Sequence, residues 1–437
     1  MTNFEFLQEW LTVGNDKLEY RETMARLSLY VGNVNLMRNE DIWSRTIQDS
    51  VLISTYPLAI WLASSWWRLN WEPLPPQKPC TDWRMAHELN TANHGFIWPR
   101  IIFATDSEVI NIWAIPACEN NNQSVKYLNG LTIPTSISLT EFQNGIKKFI
   151  NTVLNRLDAV QCPNSDLWNL WNLIQEDSIN PENVKYRRIE AEMGFEPDEC
   201  PEENILKAIH LEKQTGITTL SELTPVYGKI QNPFFEIDNF IENKGLIGTP
   251  SIYCNITNSQ EVPWKRAIIA AEKLREKNNL NKKIENTDLY ELLGIRSSEI
   301  EQWIPYNNQK ITIAIPSGNQ YKFILRKKHP IAKRFELARL IADYIFTKQN
   351  KEWLTSTDMR TSRQKYQKAF AAEFLCPIKN LQEFLQDNYS ESKIEDAAEY
   401  FQVSTQLITA HLINNELIGS SDIFNYSEMQ LPYQLTI

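Results

Sequence analysis

The chain has 437 residues, enough for two or three domains, and its 42% hydrophobic and 22% charged content is ordinary for a globular protein. A net charge of −10 excludes a protein that coats nucleic acid through its overall field and leaves room only for a local basic patch. The six cysteines (Cys80, Cys118, Cys162, Cys200, Cys254, Cys376) include no C-x-x-C pair, which fits free thiols in a reduced, cytoplasmic compartment.

The opening "MTNFEFLQEW" lacks a basic stretch followed by an apolar run, so no secretory signal is expected. Residues 1–72 read as mostly helical, through "LEYRETMARLSLYVGNVNL" and then 41–71. The most apolar window, "VLISTYPLAIWLASSWW" at 51–67, is short for a membrane span, contains Pro57 and runs straight into Arg68, so it predicts a buried helix. Trp61, Trp66, Trp67, Trp71, Trp83, Trp98 and Trp113 crowd this region, and an aromatic core with internally bonded indoles is expected rather than a ligand pocket.

"EPLPPQKP" at 72–79 breaks the chain. "WRMAHELNTANHG" at 83–95 then offers His87, Glu88 and His94, but positions i and i+7 of a straight helix lie about 10 Å apart along the axis, too far to share one ion. Trp83 and His87 are therefore kept as binding candidates, not metal ligands. Residues 96–117 predict a hairpin around "TDSE", and "YLNGLTIP" a further strand. Residues 138–157 predict a helix with a Ser138/Glu141 capping box and one apolar stripe, and 165–222 read as helical with a break at "GFEPDECPEEN". Helical period fades from 225 to 262. The expected organisation is a tryptophan-rich α+β domain over 1–224, a connection over 225–262, and a second domain over 263–437.

The second domain opens with helices at "WKRAIIAAEKLREKNNL" and "TDLYELLGI", followed by a hairpin over 310–327 around "PSGNQ". Helices are predicted at 331–348, 363–375, 378–387, 393–401 and 404–414. This order, with "RFELARLIADYIF" and "QKYQKAFAAEFLCP", resembles the ImmA/IrrE family of zinc metallopeptidases. The family pattern is roughly R-F-x-x-A-H-E-x-x-H, then E-x-x-A-N-x-F-A-A-x-L-L-M-P. Arg334, Phe335, Ala338, Phe370, Ala371, Ala372, Leu375 and Pro377 match it. The resemblance covers the last third of the chain and implies a predominantly helical, zincin-like α+β domain.

The departures fall on the chemistry. Arg339 and Asp343 replace the two zinc-binding histidines, Leu340 replaces the glutamate that works on the bound water, and Gln364 replaces the acidic ligand. A guanidinium, a carboxylate and an amide do not make a tetrahedral zinc site, and Leu340 is no general base. No metal or other cofactor is expected. Arg339 and Asp343 stand i, i+4 and are expected to pair, with Gln364 closing a polar network in the metal's place. The alternative is a hydrolase or peptidase in which Arg339, Asp343, Gln364 and Glu373 converge. Arg363 and the basic run "RKKHPIAKR" (Arg326, Lys327, Lys328) are anion-binding candidates.

Residues 392–418 have helix-turn-helix rhythm, but the second helix offers Thr405, Gln406, Thr409 and His411 with neither Lys nor Arg, which disfavours DNA. The expected protein is a non-catalytic ImmA/IrrE-like scaffold working through a protein partner, in regulation, phage defence or mobile-element biology. A DNA-binding regulator is the remaining alternative. Nothing in the residues fixes the oligomeric state.

Overall fold

The structure is a computed structural model and describes residues 3–14, 16–117, 123–254, 262–280, 283–347 and 352–419. Cys118 lies outside them; the five described cysteines are free thiols. The protein is α+β, with helices dominant and the strands gathered in small antiparallel sheets. It divides into two compact units, Met1–Ile205 and Leu206–Ile437.

In the first unit, Met24–Val31 pairs antiparallel with Phe4–Trp10, with Val34–Asn35 and with Val51–Ser54. The mostly helical reading of 1–72 is thereby corrected. Ala25, Leu27, Leu29 and Val31 are buried while Arg26 is exposed, a two-residue alternation that overrides the helix-forming composition around it. Helix is confined to Leu18–Glu22, Tyr56–Ser64 and Trp66–Trp71. Pro57 sits in the first turn of the second of these, where no amide donor is needed. Among the described residues no helix is long and apolar enough to cross a membrane.

The expected hairpin is Arg100–Thr105 and Val109–Ile115, with Leu131–Ser138 on its far side. Asp106 Oδ1 closes the turn by accepting from the Val109 amide at 3.0 Å. Ser138 caps the Leu139–Ala159 helix, whose buried Phe142, Ile146, Phe149, Ile150, Val153 and Leu157 form the predicted stripe, each stabilising by roughly 1.5–3 kcal/mol. Tryptophans fill the same core. Trp61, Trp66, Trp67, Trp83 and Trp98 are buried, and the indoles of Trp61, Trp83 and Trp98 donate to the carbonyls of Met85, Pro73 and Asn93.

In the second unit a four-stranded antiparallel sheet runs in the order Leu246–Gly248, Gln320–Ile324, Thr312–Ser317, Leu354–Ser356. The middle pair is the expected 310–327 hairpin. The first strand comes from the 225–262 stretch, which belongs to this unit and also carries the Phe235–Glu242 helix. Gly248 lets that strand pass close to the end of the Asn286–Leu293 helix, since a Cβ there would lie 2.5 Å from the Leu293 carbonyl. The Pro330–Phe346 and Ser362–Leu375 helices carry the two motifs and pack on each other and on Pro263–Lys277. Leu337, Ala338, Leu340, Ile341, Phe370 and Phe374 lie in the shared apolar core.

Candidate functional site

The motif helices bring Arg339, Asp343, Arg363 and Gln364 into one buried cluster; none is more than 4% exposed. Their pairing differs from the expectation. Asp343 is bound by Arg363, not by Arg339: Nε reaches Oδ1 and Nη2 reaches Oδ2, both at 2.7 Å. The amide of Thr355 adds a third donor to Asp343 at 2.8 Å. Arg363 is spent as well, donating to the Trp353 carbonyl and to Thr219 Oγ1. Such bidentate, charge-assisted contacts fix both side chains. Arg363 is therefore not available as an anion-binding group.

Arg339 turns the other way, and its Nη2 donates to the Thr357 carbonyl and to Gln364 Oε1. Gln364 Oε1 also accepts from the Thr357 amide at 3.0 Å. Its Nε2 donates to the Thr355 carbonyl and to Glu222 Oε2, the latter at 2.9 Å. Every hydrogen-bonding position of the amide is thus filled. Leu340 is fully buried among apolar side chains. These contacts also close the Leu354–Ser356 strand, because Thr355 N and O are taken by Asp343, Gln364 and Gln367.

Glu222 is the member that sequence reasoning missed. It lies on the Ile217–Tyr227 helix, inside a stretch read only as helical, and no motif marks it. Both its oxygens face Thr361 Oγ1, at 2.7 and 2.8 Å. Thr361 in turn caps the Ser362–Leu375 helix by accepting from the Gln364 amide. Burial pushes the Glu222 carboxyl up to about 7, against the opposing pull of Arg363, Thr361 and Gln364. An unfolded glutamate titrates near about 4.3, so between these values the folded state keeps a proton that the unfolded state has released. The contribution of Glu222 is therefore fully present below about pH 4.3 and is lost as pH rises through about 7. Relative to Glu222→Gln, the wild type should lose up to about 3 kcal/mol of stability over that window. Urea unfolding of both proteins at several pH values measures this; parallel profiles would show that Glu222 titrates normally.

Glu373 does not join the cluster. It stands nine residues beyond Gln364 on the same helix, about 13.5 Å along the axis. It faces His411, with Oε2 at 3.3 Å from Nε2. The converging arrangement required by the hydrolase alternative is absent. The same contact buries His411, removing it from the surface that the DNA alternative needs.

Arg326 is committed, its Nε at 2.7 Å from Glu336 and its Nη2 at 2.7 Å from Asp358. Lys327 is half-buried and Lys328 exposed. In the first unit His87 is fully buried, between the Phe103 carbonyl (2.9 Å) and Glu72 (3.0 Å), and stacks on Trp83 at 4.0 Å. Glu72 also takes Arg68 Nε at 2.7 Å. Trp83 and His87 are thus parts of the core, and neither presents a binding surface. Among the described residues no group of three or more His, Cys, Asp or Glu side chains is placed to hold a metal ion. No protein-family model matches the chain, and no curated protein matches it either.

Proposed function

We propose that the second unit is a zinc-less relative of the ImmA/IrrE metallopeptidases that works through protein recognition rather than catalysis. The observation that carries this reading is the self-satisfied network at the metal's place. Asp343 is saturated by Arg363 and Thr355, and Gln364 by Arg339, Thr357, Thr355 and Glu222. Groups bonded in this way hold helices together and have no capacity left to activate water. Support for the kinship comes from the two motifs in order, the hairpin before the first and the packing of the two motif helices on each other. The partner surface is not the Leu354–Ser356 edge, whose central residue is already bonded on both backbone groups. A regulatory, phage-defence or mobile-element setting follows from the resemblance alone.

Metal analysis of the purified full-length chain tests this. Zinc should be well below one equivalent, and chelator should leave the Tm unchanged, because a structural metal is coupled to folding wherever one is bound. One equivalent of zinc, released together with unfolding of the second unit, would return the protein to the peptidases.

A further inference from the structure

A groove of about 340 Å³ in the second unit is lined by one face of each of two helices. Lys207, Leu211 and Gln214 recur at i, i+4 and i+7 along Glu202–Thr215, and Phe234, Asp238 and Ile241 do the same from the N-cap of Phe235–Glu242. The floor is Leu211 and Phe234, both buried. Phe234 takes a left-handed conformation at φ 68°, which strains a bulky residue, and its ring stands edge-on to Tyr227 at 5.8 Å. Such strain persists only where the surrounding packing fixes the residue, so the floor is rigid.

The other six lining residues are exposed. Leu206 and Ile241, at 57% and 40%, form apolar walls, and Phe235 on the flank of its helix extends this surface at 64%. Single exposed apolar residues are ordinary, but three beside one groove mark a contact surface. Lys207 stands on one rim and Asp238 on the other, and neither makes a hydrogen bond or ion pair among the described residues. His210 and Gln214 are bonded to each other at 3.1 Å, which leaves Lys207 as the cation of its rim.

A small-molecule site encloses most of its ligand, and walls this open do not. The occupant must bring an extended surface, with apolar groups for Leu206 and Ile241, an acid for Lys207 and a base for Asp238. This face carries that set itself. We propose that the groove is a contact surface between two copies of the chain related by a two-fold axis. Such an axis sets each rim against the opposite rim of the other copy. Leu206 then meets the partner's Ile241 and Lys207 meets the partner's Asp238, each pair formed twice. The net charge of −10 opposes the encounter at long range, but at about 0.15 M salt its reach falls to about 8 Å while close pairs persist. The contact goes beyond the proposed function and does not depend on whether the second unit binds zinc.

Sedimentation velocity of the full-length chain over about 1–100 μM, in about 0.15 M salt, should show a reversible monomer–dimer equilibrium. Leu206→Asp, at an exposed position, should weaken it at least about tenfold with the circular dichroism spectrum unchanged. Lys207→Glu and Asp238→Lys should each weaken it by about fivefold or more, because a single reversal sets like charges together at both symmetric pairs. Mixing these two variants in equal amounts should restore association, since each lysine then faces a carboxylate across the axis. Misfolding of either variant would not produce that recovery. A wild type that stays monomeric over the range overturns the proposal, whatever else the groove accepts. So does a dimer indifferent to Leu206→Asp and to both reversals, or one that mixing fails to restore.

Discussion

Arg363→Ala should destabilise the protein by roughly 3–5 kcal/mol, the cost of leaving a buried carboxylate without its cation. Asp343 is fully buried, and two of its three donors belong to Arg363. Truncation also removes the Nη1 donor to Thr219 Oγ1 and the Nη2 donor to the Trp353 carbonyl, which is left with the Thr219 hydroxyl. The double replacement Asp343→Leu with Arg363→Met should recover much of the loss, because the net value of a buried ion pair against apolar packing is small. Chemical denaturation of the two variants and the wild type, read as midpoint and slope, measures the set. If the single variant loses less than about 1 kcal/mol, the pair is solvated in the manner of surface bridges and the buried network is wrong. A stable double variant that has lost its biological effect would instead place the pair in a functional cleft.

A fragment beginning at Pro201 should fold alone, whereas one beginning at Pro263 should not. The longer fragment keeps the Glu202–Thr215 and Ile217–Tyr227 helices and the Leu246–Gly248 strand. The shorter one loses Glu222 and Thr219, which bond to Gln364, Thr361 and Arg363 in the centre of the unit. It also uncovers the Gln320–Ile324 strand as a bare sheet edge, with its aggregation hazard. Circular dichroism and thermal melting of both fragments decide the matter. Cooperative unfolding of the 263–437 fragment would show that the earlier residues are an accessory to this core.

Much of the second unit was legible because its signals are local. The helical runs of 331–348 and 363–375, the alternation on both sides of "PSGNQ" and, in the first unit, the stripe of 138–157 each require a single element to be read correctly. The first seventy residues were misread because "ETMARL" has helical composition, and the choice went to the sheet that Phe4–Trp10 and Val51–Ser54 build around Met24–Val31. The Leu354–Ser356 strand is too short for any periodicity to reveal.

The sequence by itself determined most of the elements of the last third and placed Arg339, Asp343, Arg363 and Gln364 on two of its helices. Only the tertiary structure decided who bonds to whom. Spacing of i, i+4 places Arg339 and Asp343 on one face of a helix, but a long guanidinium goes where acceptors and burial are offered by the helix packed against it. Asp343 therefore takes Arg363 from the neighbouring helix, and Arg339 takes Gln364 and a loop carbonyl. Glu222 enters from a helix more than a hundred residues upstream. No pattern within a strand or a helix encodes such a meeting, because it depends on the packing of distant segments into one core.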